Sequence, residues 1–388
     1  MTIVLAYGLV LLLTVSLSAV AARTVLSTAL PFLVAGAVIG RGGFGWVDVP
    51  SDSASVSRLA DIALFTVLFT DGQRACFSEL RAEWRASGRA LGIGMPLAMV
   101  GVALPAHFLA HLGWSEAFLL GAVLAPTDPV FASALVGRED ISLRLRRLLN
   151  IESGLNDGLA LPFVMVFLSL SSREPVHPAA LASELGLGLL LGVAIPGLVA
   201  LAFRVPGVDA EHRLRPLGPL SVGLIVYAAC HLLHANPYLA AFAAGSTVAT
   251  AAPAAAERFA PLGEVLSEVT KFAALLVFGA VITPARLSHL TWREWLVAAL
   301  ALAVVRPLSM ALPLARSPLS MKEKAAAAWF GPKGFASVVY GLLVLQSHAR
   351  SREHVFDLVA LTTALSIALH SSADVPVAKA LQVEDDAG

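Results

Sequence analysis

Residues 117–136 read AFLLGAVLAPTDPVFASALV, and residues 148–170 read LLNIESGLNDGLALPFVMVFLSL. Each stretch is long and apolar enough to cross a hydrocarbon core of roughly 30 Å. Yet the first carries Asp128 between two prolines, and the second carries Glu152 and Asp157. A carboxylate at mid-membrane depth costs from roughly 2.5 kcal/mol upward. Side chains kept there against that cost are the first place to look for function.

The rest of the chain sets the frame for these two stretches. Hydrophobic residues make up 57% of the 388, and only 14% are charged, against about 25% in soluble domains. About thirteen apolar blocks of near-spanning length follow one another. They lie near 2–22, 25–40, 59–77, 90–112, 116–136, 148–171, 181–203, 216–234, 237–254, 264–283, 293–314, 323–345 and 354–374. In lipid each must be a helix, because every backbone polar group has to be paired internally. The expected fold is therefore an all-α polytopic membrane protein of about 13 transmembrane helices. The block at 25–40, with Pro31 and a run of glycines up to Gly43, is the least helix-like. The connections at 41–58 and 78–89 are too short to bury a soluble core.

Net charge is zero, which gives no indication of a nucleic-acid partner. The distribution of positive charge is more telling. With the blocks numbered in order, loops on one side carry 17 Lys and Arg residues and loops on the other carry 7. Cytoplasmic loops are enriched in these residues. The N-terminus is expected outside and the C-terminus inside, in a multi-pass protein of the cell (plasma or inner) membrane. The remaining three, Lys271, Arg306 and Lys333, fall within predicted helices. Cys76 and Cys230 lie in separate helices and read as small apolar fillers. The start faintly resembles a cleavable signal at Ser18–Ala21, but it lacks a basic leading segment and reads as the first helix.

Two predicted helices are broken in the middle, the fifth at Ala125-Pro126-Thr127-Asp128-Pro129 and the twelfth at Gly331-Pro332-Lys333-Gly334. Proline removes a backbone donor and clashes with the preceding turn, so both segments should unwind locally. The breaks are seven helices apart. That offset fits a repeat of helices 1–6 onto 8–13, with helix 7 as connector, and an odd offset makes the repeat inverted. Interrupted helices at matching positions of inverted halves point to a secondary transporter's ion site.

Each charged residue then takes an expected role. Burial disfavours the charged form of a lone carboxylate, so a proton and a small cation compete for Asp157. Competition at one site is the minimal machinery of an antiporter. Hard cations prefer oxygen ligands, which Asp157, Ser153 and the freed carbonyls around Thr127 and Asp128 can supply. Asn156 is uncharged and can brace unwound backbone. It adds no second titratable group, so one-for-one exchange would be electroneutral. At the break of helix 5, Asp128 can neutralise the positive end of the following half-helix. At the break of helix 12, Lys333 can do the reverse at a C-terminal end. Glu152 pairs with Arg306 across helices 6 and 11, and Lys271 snorkels. An intramembrane hydrolase using Ser153 is a different class, but the residues before it are Ile151-Glu152, not a Gly-x-Ser elbow. A sensor would need a signalling domain, and the loops leave no room for one.

With these residues in place, a family pattern is recognisable. Gly121–Val136 resembles the broken-helix motif of the monovalent cation:proton antiporter superfamily. Asn150–Pro162 (NIESGLNDGLALP) is similar to the next helix of its sodium/proton exchanger branch, with Asn-Asp where the electrogenic branch typically has Asp-Asp. Val305-Arg306-Pro307 and Trp329–Val339 resemble the arginine helix and second broken helix. The resemblance implies the sodium/proton antiporter fold in a single exchanger domain over 1–380. A dimerisation side would lie at about 1–85 and 216–283, an ion-carrying core at about 88–171 and 293–375, and a short cytoplasmic tail at 381–388. It implies Asp157 as ion and proton binder, with Thr127, Asp128, Ser153 and Asn156 around it, and it supports the Glu152–Arg306 pair. Lys333 stands where relatives often have arginine. Implied partners are monovalent cations, protons, the lipid bilayer and a second copy of the chain. No cofactor is implied, only transported Na⁺ (or K⁺ or Li⁺) and H⁺. Elevator-like movement of the core against the dimer side is the implied mechanism, and potassium as main substrate stays open.

Overall fold

The computed structural model describes residues 2–21, 29–47, 54–74, 84–128, 142–173, 177–205, 211 and 213–381. The second half of the predicted fifth helix, Cys76 and the tail from 382 lie outside the described residues. Among the described residues every regular element is helical, apart from one isolated bridge between Ser172 and Ala349.

In chain order the helices are α1 (Thr2–Ala21), α2 (Leu30–Ile39), α3 (Ala54–Arg74) and α4 (Trp84–Arg89 continuing into Met95–Phe108). There follow α5 (Trp114–Leu124), α6 (Leu143–Ser171), α7 (Pro178–Ala202), α8 (Leu217–Leu233), α9 (Pro237–Ala251) and α10 (Pro253–Val281). The last are α11 (Trp292–Leu300 continuing into Arg306–Leu314), the half-helices α12a (Met321–Trp329) and α12b (Phe335–Gln346), and α13 (Arg352–Leu381). Local chemistry sets several of the starts. Capping boxes at Thr291/Glu294 and Ser320/Glu323 begin α11 and α12a, each satisfying two donors that a helix start would otherwise leave free. Ser142 caps α6, which starts five residues before the apolar block does.

Four stretches are long and apolar enough to cross a membrane on those grounds alone: Ser87–Phe108, Arg144–Ser171, Pro178–Ala202 and Trp292–Leu314. In α7, Leu189, Leu190, Val193 and Leu198 are exposed, while Gly188 and Gly192 are buried against α9. A helix apolar on its exposed face suits lipid rather than water. The doubtful second block does form a helix, and its glycines explain how. A Cβ at Gly36 or Gly40 would run into the backbone of Leu276 or Ala280, so these glycines let α2 lie directly on α10.

The helices pack in two groups. One holds α2, α3, α7, α8, α9 and α10; the other holds α4, α5, α6, α11, α12a, α12b and α13. They meet where α3 touches α6 and α12b, α9 touches α6, and α10 touches α12b. The repeat has an echo that the sequence did not announce. Helices α4 and α11, seven apart, each contain one π-helical segment, Ala90–Gly94 and Ala301–Val305. A π segment shifts the register of the residues after it. In α11 the residue immediately after is Arg306.

Candidate functional site

The break of the twelfth helix is present, and so is the end of the first half of the fifth, whose second half lies outside the described residues. Helix α5 ends at Leu124 and residues 125–128 are not helical, while residues 330–334 separate α12a from α12b. The two interruptions lie against each other: the Asp128 amide donates to the Pro332 carbonyl at 2.9 Å. Glycines make this approach possible. A Cβ at Gly334 would collide with the Asp128 carboxylate, and one at Gly331 with the Arg306 guanidinium.

The structure gives Asp128 and Lys333 partners at each other's breaks. Asp128 accepts from the Phe335 amide at 2.8 Å, so it caps α12b, a half-helix of the other break. The Lys333 ammonium lies 3.4 and 3.5 Å from the Pro126 and Ala125 carbonyls, at the C-terminal end of α5. Ser337 adds a bond to the Val123 carbonyl at 2.8 Å. Sequence reasoning paired each charge with its own helix because chain proximity was the only proximity it had. Contact between the two breaks supplies these partners, while the half-helix expected after Asp128 lies outside the described residues. The sign rule still holds, with a carboxylate at an N-terminal end and an ammonium at a C-terminal end.

Arg306 and Glu152 pair in the fork geometry, at 2.5 and 2.9 Å, both deeply buried. The same guanidinium donates to the Phe330 carbonyl at 3.2 Å, at the end of α12a. One arginine thus neutralises a carboxylate and closes a helix end.

Around Asp157 the pattern is different. Asn156 donates to the Thr127 hydroxyl at 2.7 Å, and that hydroxyl lies 3.4 Å from Ser153 Oγ. The backbone carbonyl of Asp157 accepts from Tyr340 at 2.7 Å. But Asp157 Oδ1 and Asn156 Oδ1 are buried with no hydrogen-bond donor among the described residues. Buried acceptors without donors are uncommon in folded proteins and call for an ion, a proton or water. Thr127, Ser153, Asn156 and Asp157 therefore form one oxygen-lined cluster at the edge of the first break. Glu152, Arg306 and Lys333 sit beside it as compensated charge.

One residue here escaped the sequence reading. Asp71 of α3 is 5% exposed, and its charge acts on Asp157 from across the boundary between the two helix groups. It stands three residues before Arg74 near a helix end, where charge is ordinary. A signal was available: Asp71-Gly72 repeats Asp157-Gly158 inside an apolar block. A Cβ at Gly72 would strike the Phe242 backbone, and one at Gly158 the Phe242 ring. The paired glycines bring α3 and α6 together around one residue of α9. Lys271, expected to snorkel, is half-buried, and its ammonium lies 5.6 Å from the centroid of the Phe335 ring.

Comparisons with known proteins bear on the family and the fold. The family model described as "Sodium/hydrogen exchanger, transmembrane" matches residues 9–380. The K(+)/H(+) antiporter NhaP2 of Shewanella sp. (strain MR-4) is 24% identical over 380 residues, covering 95% of this chain. The chain spans 65% of that relative's length. A probable Na(+)/H(+) antiporter of Schizosaccharomyces pombe is 29% identical over 158 residues, 37% of this chain and 20% of its own. Among solved structures, the sodium proton antiporter MjNhaP1 from Methanocaldococcus jannaschii at pH 8 superposes with a TM-score of 0.81 at 20% identity. That match covers 99% of each chain.

Proposed function

Because the chain belongs to the sodium/hydrogen exchanger family, we propose that it exchanges a monovalent cation for a proton across a membrane, with Asp157 as the shared carrier. The observation that carries this reading is the donor-less carboxylate oxygen of Asp157, buried beside the Thr127, Ser153 and Asn156 oxygens and amide. Such a site is satisfied by either a proton or a desolvated cation, and not by both. Asn156 contributes oxygen without a second proton, which favours electroneutral one-for-one exchange.

Alternating access follows from where the acids stand. Asp157 belongs to the group α4, α5, α6, α11–α13, read here as an ion-carrying core at about 88–171 and 293–375. Asp71 belongs to the group read as the dimerisation side. Sliding one group against the other, in an elevator-like manner, would carry Asp157 past Asp71 and expose it to each face in turn. The working unit is a homodimer, with its N-terminus outside and its C-terminus cytoplasmic, as the lysine and arginine bias requires. Sodium is the first substrate reading. Potassium is the second, supported by the K(+)/H(+) antiporters that align along most of this chain.

Proteoliposomes with an imposed pH gradient, challenged with Na⁺, Li⁺ and K⁺ in turn, test the proposal. The expected result is exchange by the wild type, with apparent KM for the cation rising as pH falls while the maximal rate is retained. Asp157→Asn should abolish it. Wild-type liposomes that behave like empty ones would overturn the antiport reading. Charge movement in step with exchange, read by a potential-sensitive dye, would overturn electroneutrality.

A further inference from the structure

We infer that Lys271 sets the charge selectivity of this site: its ammonium, held over the Phe335 ring where α10 meets α12b, excludes divalent cations and leaves room for one positive charge. The inference rests on the reading of Asp157 as the carrier.

Its basis is the placement of α10. That helix packs on α3, which carries Asp71, and on α12b, which begins at Phe335. Lys271 projects toward the second contact, with Nζ 5.6 Å from the centroid of the Phe335 ring, close enough for a cation–π attraction that holds the ammonium in place. The amide of the same Phe335 binds the Asp128 carboxylate at 2.8 Å. From this position the Lys271 charge acts on both Asp71 and Asp157. Arg74 lies 3.8 Å from Asp71 as well as 2.7 Å from Glu264, so one guanidinium is shared by two carboxylates and leaves one negative charge between them.

The charges then sum simply. Glu152 and Arg306 cancel within their own pair, and Asp128 at the start of α12b and Lys333 at the end of α5, of opposite sign at the two breaks, cancel in sum. Asp71, Asp157 and Lys271 remain, with a net charge of minus one. One proton or one monovalent cation neutralises that set. Without Lys271 the set would carry minus two, and two facing carboxylates suit a divalent, oxygen-seeking cation. Coulomb repulsion scales with the charge of the ligand. Removing Lys271 should therefore strengthen divalent binding by the square of the factor by which it strengthens monovalent binding.

The test compares wild type, Lys271→Gln, Lys271→Arg and Asp71→Asn/Lys271→Gln, full length in proteoliposomes and in detergent. For Lys271→Gln we expect about a tenfold lower apparent KM for Na⁺ or K⁺, and about a hundredfold stronger inhibition by Mg²⁺ and Mn²⁺. Electron paramagnetic resonance of Mn²⁺ with the purified protein reads the same gain without any transport. Lys271→Arg should behave as wild type, and the Asp71→Asn/Lys271→Gln variant should lose the Mn²⁺ signal. Wild-type exchange should continue undisturbed in millimolar Mg²⁺. Inhibition of the wild type by Mg²⁺, equal factors for monovalent and divalent ions, or a Lys271→Arg variant resembling Lys271→Gln would each overturn the inference. If the wild type does not exchange cations at all, the carrier reading fails separately, and the Mn²⁺ titration still decides the role of Lys271.

Discussion

Glu152 and Asp157 are five residues apart on one helix, and both are almost fully buried, 3% and 7% exposed. The environment assigns them opposite tasks. Glu152 receives two guanidinium bonds and has nothing left to offer. Asp157 has a buried carboxylate oxygen with no donor among the described residues. A buried charge that is fully compensated serves architecture, whereas one left short is available for exchange. Burial alone does not separate the two, since both pay the same desolvation cost. The partner list does.

That contrast can be broken most sharply at Asp157. Asp157→Asn keeps the volume and removes the exchangeable charge, so cation-coupled proton movement should vanish while the purified protein keeps its melting temperature. A large fall in melting temperature would mean that Asp157 is architectural after all. At Glu152 the expectation reverses. Arg306→Gln strands a buried carboxylate and frees the Phe330 carbonyl, at a cost of about 3–5 kcal/mol. Thermal unfolding in detergent reads this, and Glu152→Gln/Arg306→Gln should recover part of the loss, because neither charge is then alone. Asp128→Ala should cost less, about 1–2 kcal/mol, the usual value of an N-terminal helix cap. Amide hydrogen exchange would show the loosening at the start of α12b. The smallest effect belongs to the exposed Arg74–Glu264 pair. Glu264→Gln should change stability by less than about 1 kcal/mol, and a larger change would mean that Arg74 does more for Asp71 than its position suggests.

Much of the site was legible in the sequence because lipid makes polar residues conspicuous. Asp128, Glu152, Asp157, Arg306 and Lys333 all stood out as charges inside apolar blocks, and the Pro-Gly interruptions marked both breaks. The Glu152–Arg306 contact followed by elimination, since few other opposite charges were available at that depth. Asp71 was missed for the complementary reason. It lies three residues from Arg74 near a helix end, where charge is ordinary, and only the fold shows it facing inward. Lys271 drew less notice on similar grounds, because a lysine's long stem permits both snorkelling and an inward reach. The segment from 129 to 141 is undescribed, and the original expectation for Asp128 concerned the half-helix there.

What the sequence determined by itself was a helical membrane protein, broken twice at matching positions, with its unaffordable charges in view. Those conclusions rest on short-range physics: backbone pairing in lipid, proline geometry and the cost of burying charge. Only the tertiary structure decided which charge answers which. It sent Asp128 and Lys333 to each other's half-helices, placed π segments in both α4 and α11, and set Asp71 and Lys271 on the helices that pack against α6 and α12b. Electrostatic partners are chosen by distance in space. In a chain folded back on itself many times, distance along the sequence carries little of that information.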